Sequence, residues 1–232
     1  IKEIETKLNE TEKRREEILN GLPNLPFDDV PVGKDENDNV VLREAGEKPD
    51  FDFQPKDHLE LGESLDLIDF ETGAKISGSN SYYLKNQAVL LELALINYAF
   101  DILIKEGFAP IITPDLARQR FYTGTGYSPQ GPEAQTYEIK DSDLGLIATS
   151  EITLAGLHAD ETLNEKDLPK KYAGFSHCFR KEAGSYGKYS KGLYRIHQFS
   201  KVEMYVYCLP EESEKIHKYL LSVEDKIFQG LG

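Results

Sequence analysis

The stretch "FRKEAGSYGKYSKGLYRIHQFSKVE", Phe179 to Glu203, places two arginines, an aromatic residue and two carboxylates on either side of a loop punctuated by glycines. Strand-forming residues run from Tyr172 to Glu182 and from Leu193 to Leu209, and the "AGSYGKYSKG" between them holds three glycines. The simplest structure is a long antiparallel hairpin. Side chains alternate across a strand, so Arg195, His197, Phe199, Lys201 and Glu203 share one face, while Ile196, Val202, Met204 and Val206 supply apolar packing to the other. Arg180 and Glu182 likewise share a face of the partner strand. A guanidinium fork holds phosphate oxygens, a ring stacks on a base and a carboxylate pairs with an amine, so this face suits a ligand carrying all three. A solvated hairpin with cross-strand ion pairs has the same polar alternation, and on the pattern alone both readings stay open.

Composition narrows the class. The chain has 232 residues, 39% of them hydrophobic, and a net charge of −14, which suits one sizeable core with a small appendage. No run approaches the roughly 20 apolar residues of a membrane helix, and no basic segment precedes an apolar one at the start. The expected compartment is the cytoplasm, with no membrane partner. Cys178 and Cys208 form no CxxC and read as reduced structural thiols. The acidic balance excludes coating nucleic acid by general electrostatics, so any such contact must be local.

Working outward, Ile1, Ile4, Leu8, Thr11, Arg15 and Ile18 recur at three- and four-residue steps, predicting an amphipathic or coiled-coil helix over residues 1–22. It opens in mid-pattern and reads as the end of something longer. "GLPNLPFDDVPVGKDENDNVV" is an extended linker. "HLELGESLDLIDFETGAKISGS" reads as a short helix plus loop. "NQAVLLELALINYAFDILIKEG" then puts Val89, Leu93, Ile96, Ala99, Phe100 and Leu103 on one helical face closed by Gly107. "FAPIITPDLA" is a short strand stopping at Pro114. "FYTGTGYSPQGPEAQTYEI" reads as loop leading to a strand near Tyr137–Ile139, and its Gly124 and Gly126 mark a turn rather than a nucleotide fingerprint.

The segments "LPNLPFDDVPVGKDENDN", "HLELGESLDLIDFETGAKISGS", "ATSE" and "FRKEAGSYGKYSKGLYRIHQFSKVE" resemble, in order and spacing, the seryl-tRNA synthetases. The likeness runs through nearly the whole chain and is more specific than any single motif. It implies an α+β fold: the class II antiparallel sheet flanked by helices, dimeric, with the remnant of an N-terminal coiled-coil arm that embraces tRNA. The implied organisation is 1–22 for the end of the arm, 23–57 for the linker and 58–232 for the catalytic domain. The helix before Gly107 and the strand ending at Pro114 resemble motif 1, the dimer interface.

Residue by residue, the resemblance makes Arg180 the motif 2 arginine that grips the ATP α-phosphate and the serine carboxylate. Glu182 matches the acceptor of the adenine amino group, Arg195 the residue at the γ-phosphate, Ile196 the backbone contact to adenine and Phe199 the ring stacked on it. Arg195 and Phe199 would lie roughly 13 Å apart along a strand. Thr149, Glu151 and Glu203 resemble the serine-binding residues. Lys188 and Lys191, in the motif 2 loop, would face the tRNA acceptor end.

The implied activity is ATP-dependent formation of seryl-adenylate, with Mg2+, followed by transfer of the seryl group to tRNA(Ser); tRNA(Sec) stays open as an acceptor. The family continues, past the position matching Gly232, to motif 3 and the residues that hold magnesium. No metal ligand is therefore expected within this chain, which by itself is expected to be inactive. The alternatives are a synthetase-like ligase that loads an amino acid onto a carrier protein, and a binding paralogue without catalysis. The arm counts against the first; Arg180, Glu203 and the TxE triplet at Thr149–Glu151 count against the second.

Overall fold

In the computed structural model, residues 1–22, 25–127, 135–182 and 192–232 are described. They fall into two compact units, residues 1–50 and 51–232. The first unit is built on helix α1 (Lys2–Asn20), whose first turn carries Glu3 and Glu5, the charge that suits the positive end of a helix dipole. None of its residues is buried, and Ile4, Leu8 and Ile18 of the predicted seam are all exposed. Beyond it the described chain to residue 50 is irregular apart from a 3-10 turn at Glu36–Asp38, in keeping with its content of Pro, Asp and Gly.

The second unit begins with α2 (His58–Ser64), closed by a capping box. Asp57 Oδ1 accepts from the Leu59 and Glu60 amides, each at 3.0 Å, and Glu60 Oε2 accepts from the Asp57 amide at 3.0 Å. What reads in the sequence as one helix and a loop is two helices. β1 (Ile68–Asp69) separates α2 from α3 (Phe70–Ser77), because the Asp69 carboxylate accepts from the Thr72 amide at 2.8 Å and starts a new turn. β2 (Tyr83–Leu84) pairs antiparallel with β1.

α4 (Gln87–Lys105) follows the predicted period, but only its C-terminal half is packed. Phe100 and Leu103 join Phe108, Ala173, Val202, Met204 and Val206 in a cluster closed by Tyr219, Leu220, Val223 and Ile227. Burying a side chain such as Leu103 stabilises by about 1.5–3 kcal/mol. Val89 and Leu93, expected on the same face, are exposed, as are Leu90 and Leu91. By length and composition α4 is also apolar enough to cross a membrane, contrary to the expectation that no such run exists. Its polar Glu92, Asn97 and Asp101 and its packed C-terminal half fit a helix shared between a core and a surface.

β3 (Ala109–Ile112) lies parallel to β7 (Lys170–Phe179), which pairs along its whole length with antiparallel β8 (Gln198–Tyr207). A second sheet has the order β4 (Leu116–Arg118), β6 (Leu144–Leu146), β5 (Tyr137–Glu138). After β4 comes α5 (Gln119–Gly124), whose residues from Phe121 onward read from sequence as loop and whose end is marked by Gly126 at φ +81°. α6 (Glu151–Ala155) lies against β7, and α7 (Ser213–Gln229) completes the chain of elements. The approach of α6 depends on small residues: a Cβ at Gly174 would come within 2.8 Å of Leu154 Cδ1. Ser176 and Cys178, on the same face, are fully buried. Both cysteines are free thiols.

The hairpin strands are shorter than their sequence pattern. β7 ends at Phe179 and β8 starts at Gln198, so Arg180, Glu182, Arg195 and Ile196 lie outside them and the strand spacing does not apply between Arg195 and Phe199. The backbone gives the reason: Arg180 N still donates to His197 O at 3.0 Å, but His197 N donates away from β7, to Asn80 O at 3.1 Å.

Candidate functional site

The face of β7–β8 that carries Gly174, Ser176 and Cys178 also carries Phe199, Lys201 and Glu203, through the pairs Cys178–Phe199, Ser176–Lys201 and Gly174–Glu203. Val202, Met204 and Val206 point the other way, into the core. Just past β7, the Arg180 guanidinium lies 5.1 Å from the centre of the Phe199 ring, and its Nε donates to Ala148 O at 3.3 Å. A cation over an aromatic face is thus held in place by a backbone carbonyl. Glu182 adopts φ +50°, uncommon for a residue with a side chain. Its carboxylate is 2.8 Å from Arg195 Nη1, and its side chain is 8% exposed against 43% for Arg195. Ile196 is buried.

The other end of this face is a dense polar knot. Thr149 and Ser150, both fully buried, precede α6 and reach Glu203 on β8. Thr149 Oγ1 donates to Glu203 Oε2, Ser150 Oγ donates to the same oxygen at 2.9 Å and the Glu151 amide donates to it at 3.2 Å. Lys201 Nζ lies 3.0 Å from that oxygen and donates to Thr149 Oγ1 at 2.5 Å. Burial works against ionising Glu203, but the Thr149 hydrogen bond, the Lys201 ammonium and Ser150 outweigh it and hold the carboxyl below its ordinary value. Glu151 lies on the other side of its ordinary value, pushed up by burial and by the charge of Glu203. Tyr127 and Tyr205, raised first by burial, also feel Glu151 and Glu203.

The structure therefore sets Arg180, just past β7, over Phe199 of β8, and brings Thr149, Ser150 and Glu151 at the start of α6 to Glu203 on the same face of β8. Lys188 and Lys191 lie outside the described residues. Lys201 and Ser150 have no role in the sequence reading; Lys201 could have been suspected from its place two residues before Glu203, whereas Tyr127 sits in a Gly- and Pro-rich stretch with no signal. A separate cleft of about 470 Å3 is lined by Asn80, Tyr82, Glu92, His177, Phe179 and Ser200 among others. It includes Phe199 but none of Arg180, Glu203 or Thr149.

Residues 136–232 match the family model described as the tRNA synthetase class II core domain (G, H, P, S and T). This chain belongs to the class II tRNA synthetases. It is similar to the serine–tRNA ligase of Dictyoglomus turgidum, 56% identical over 231 residues, covering 100% of this chain and 54% of the relative. With that of Treponema denticola the identity is 51% over 232 residues, covering 100% and 55%. Among solved structures, the seryl-tRNA synthetase of Pyrococcus horikoshii complexed with ATP superposes with a TM-score of 0.92 at 43% identity, over 98% of this chain and 55% of that one. The cytoplasmic serine–tRNA ligase of Naegleria fowleri in complex with AMP gives 0.88 at 32%, over 99% and 55%. The chain spans about half the length of the curated relatives it matches. The expected class II fold, an α+β arrangement of antiparallel sheet and flanking helices, is the one observed, with β3 on β7 as a parallel pair.

Proposed function

We propose that this class II synthetase chain serves ATP-dependent ligation of serine to tRNA(Ser). The observation that carries the reading is the shared face of β7–β8, where Arg180 stacks on Phe199 at one end and Glu203 is held ionised beside Thr149 and Glu151 at the other. A serine ammonium would meet Glu203 and Thr149, with Glu151 near the hydroxyl. Arg180 would span the serine carboxylate and the ATP α-phosphate, the two groups that react. Phe199 would stack on adenine, with Glu182 and the Ile196 backbone reading its edge and Arg195 meeting the γ-phosphate.

The reaction needs no side-chain nucleophile. The serine carboxylate attacks the α-phosphorus in line and pyrophosphate leaves; a ribose hydroxyl at the tRNA end then attacks the seryl carbonyl carbon, losing its proton as the carboxyl–phosphate bond breaks and AMP leaves. Catalysis lies in positioning and in Arg180's stabilisation of charge that builds in the transition state. Mg2+ accompanies ATP in this reading. Among the described residues no group of three or more His, Cys, Asp or Glu is placed to hold an ion, so no step here is routed through the metal.

The partners follow from the same reading. Residues 1–22 form the end of a tRNA-binding arm, 23–57 a linker and 58–232 the catalytic domain, with Lys188 and Lys191 toward the acceptor end. The exposed Leu90, Leu91 and Leu93 of α4 and Ile112 of β3, 80% exposed, suit the interface of a homodimer. A cytoplasmic location accords with translation. A site that hydrogen-bonds a hydroxyl leaves polar groups unpaired with alanine, which is a strong penalty. The test is amino-acid-dependent exchange of pyrophosphate into ATP by the intact gene product. Exchange with serine and almost none with alanine is expected; equal exchange with both overturns the assignment.

A further inference from the structure

We infer that Lys201 is a positioning residue of the amino-acid site, its ammonium locking the Thr149 hydroxyl and the Glu203 carboxylate so that one carboxylate oxygen stays open to a ligand ammonium. The inference rests on the serine reading above, but its structural part stands on the ligand-free site.

Lys201 Nζ has protons to give and no lone pair, so Thr149 Oγ1 can only accept from it. The single hydroxyl proton of Thr149 is then free to point at Glu203 Oε2. That same oxygen takes Ser150 Oγ, the Glu151 amide and the Lys201 ammonium. All four donors converge on Oε2, and Oε1 takes none of them. Thr149 and Ser150 are fully buried, so packing holds their hydroxyls against Glu203. An incoming ammonium would meet an oxygen whose orientation is already set, which lowers the ordering cost of binding.

Charge gives Lys201 a second task. Glu203 is faced by Glu151 from α6, by Tyr205 and Lys201 from β8, by Cys178 of β7 and Arg180 just beyond it, and by Tyr127 from the segment after α5. Of these cations, Lys201 makes an ion pair with Glu203, whereas Arg180 is turned toward Phe199 and Ala148. Lys201 lowers both carboxylates, so without it both would titrate higher, Glu151 further above its ordinary value. Serine would then lose the orientation that Lys201 imposes on Thr149 and Glu203.

The experiment compares Lys201→Met and Lys201→Arg with the unmodified intact protein in two readouts. The first is the 13C titration of the Glu203 side-chain carboxyl without ligand, its resonance assigned by its loss in Glu203→Gln. Removing an opposite charge at this distance should raise the midpoint by about one pH unit or more in Lys201→Met, and Lys201→Arg should bring it back toward the original. The second is calorimetric binding at pH 7.5: serine should weaken about tenfold or more in Lys201→Met while ATP changes less than about twofold. An unmoved Glu203 midpoint overturns the inference even if serine binding weakens, because a merely structural lysine would give that result. Should Lys201→Met not fold, Lys201→Gln carries the same titration without the charge. Unmodified protein that binds ATP but no serine would overturn the serine reading, while the carboxyl titration would still decide the role of Lys201.

Discussion

Arg195 Nη1 lies 2.8 Å from the carboxylate of Glu182, and the acid is the buried partner of the two. In the proposed reading these two residues would meet opposite ends of ATP, whereas in the free protein they pair with each other. On that reading the pair would set the Glu182 carboxylate before an adenine amino group arrives. Glu182→Gln removes the charge while retaining an oxygen, so ATP should lose about 1.5–3 kcal/mol of its advantage over GTP. Competition of the two nucleotides in an exchange assay measures this. An unchanged ATP preference would leave Glu182 as a partner of Arg195 alone.

For Arg180→Ala, the loss falls on hydrogen bonds that tighten as charge develops at the α-phosphorus. The rate of adenylate formation should drop at least about a hundredfold, with serine and ATP affinities much less affected. Single-turnover kinetics separates the two. A near-normal rate would reduce Arg180 to a cation resting on Phe199.

Phe199→Ala removes both the proposed platform for adenine and the ring under the Arg180 guanidinium. Stacking on a base is worth on the order of 1 kcal/mol or more, so ATP should weaken by at least that while serine binding changes little. Titration with each ligand checks the order. A larger effect on serine would misplace adenine.

Glu203→Gln bears on binding and on acid stability. Loss of the charged acceptor should weaken serine by about 1.5–3 kcal/mol. The carboxyl's folded value is depressed below 4.5, so its contribution to stability is present above about pH 4.5 and is lost as pH falls through the folded value. Glu151 acts in the opposite sense. Its raised value means the ionised form opposes folding, and acidification toward pH 4.5 relieves that. The variant should therefore lose less stability than the parent below pH 4.5, as urea unfolding against pH would show; identical acid limbs would remove Glu203 from the account.

The parts of this architecture that the sequence reveals are those governed by period. Val202, Met204 and Val206 alternate with Phe199, Lys201 and Glu203, and the two sets do face opposite ways. Phe100 and Leu103 recur at helical spacing and do pack. Period also misleads. The alternation continues back through Arg195, but His197 N turns to Asn80 O and the strand ends. α5 is only six residues long, QRFYTG, too short for periodicity to separate it from loop. The knot around Glu203 is legible only in its carboxylates and threonine. Lys201 acts through Thr149, 52 residues away in sequence, and no local pattern carries a contact of that range.

The return of the hairpin depends on Gly192. It sits at φ +69°, and a Cβ there would lie 2.1 Å from His58 Nε2 and 3.0 Å from Leu59 Cδ2. His58 is at the start of α2, and its Nε2 accepts from the Leu193 amide at 3.2 Å while Tyr194 meets the imidazole edge-on at 5.0 Å. The turn Gly192–Tyr194 leads directly into Arg195. Gly192→Ala should thus incur two penalties: about 1–2 kcal/mol for a left-handed backbone, and a collision with the imidazole. Only the collision depends on His58. In a His58→Ala background the substitution should keep the backbone term and the close contact with Leu59 but lose the collision with the imidazole, leaving a coupling of about 1 kcal/mol or more in a double-mutant cycle of thermal or urea unfolding. ATP affinity should fall with Gly192→Ala in the His58 parent as Arg195 is displaced, and recover in part in the double variant. Equal costs in both backgrounds would mean that the imidazole yields freely and that the contact does not position the turn.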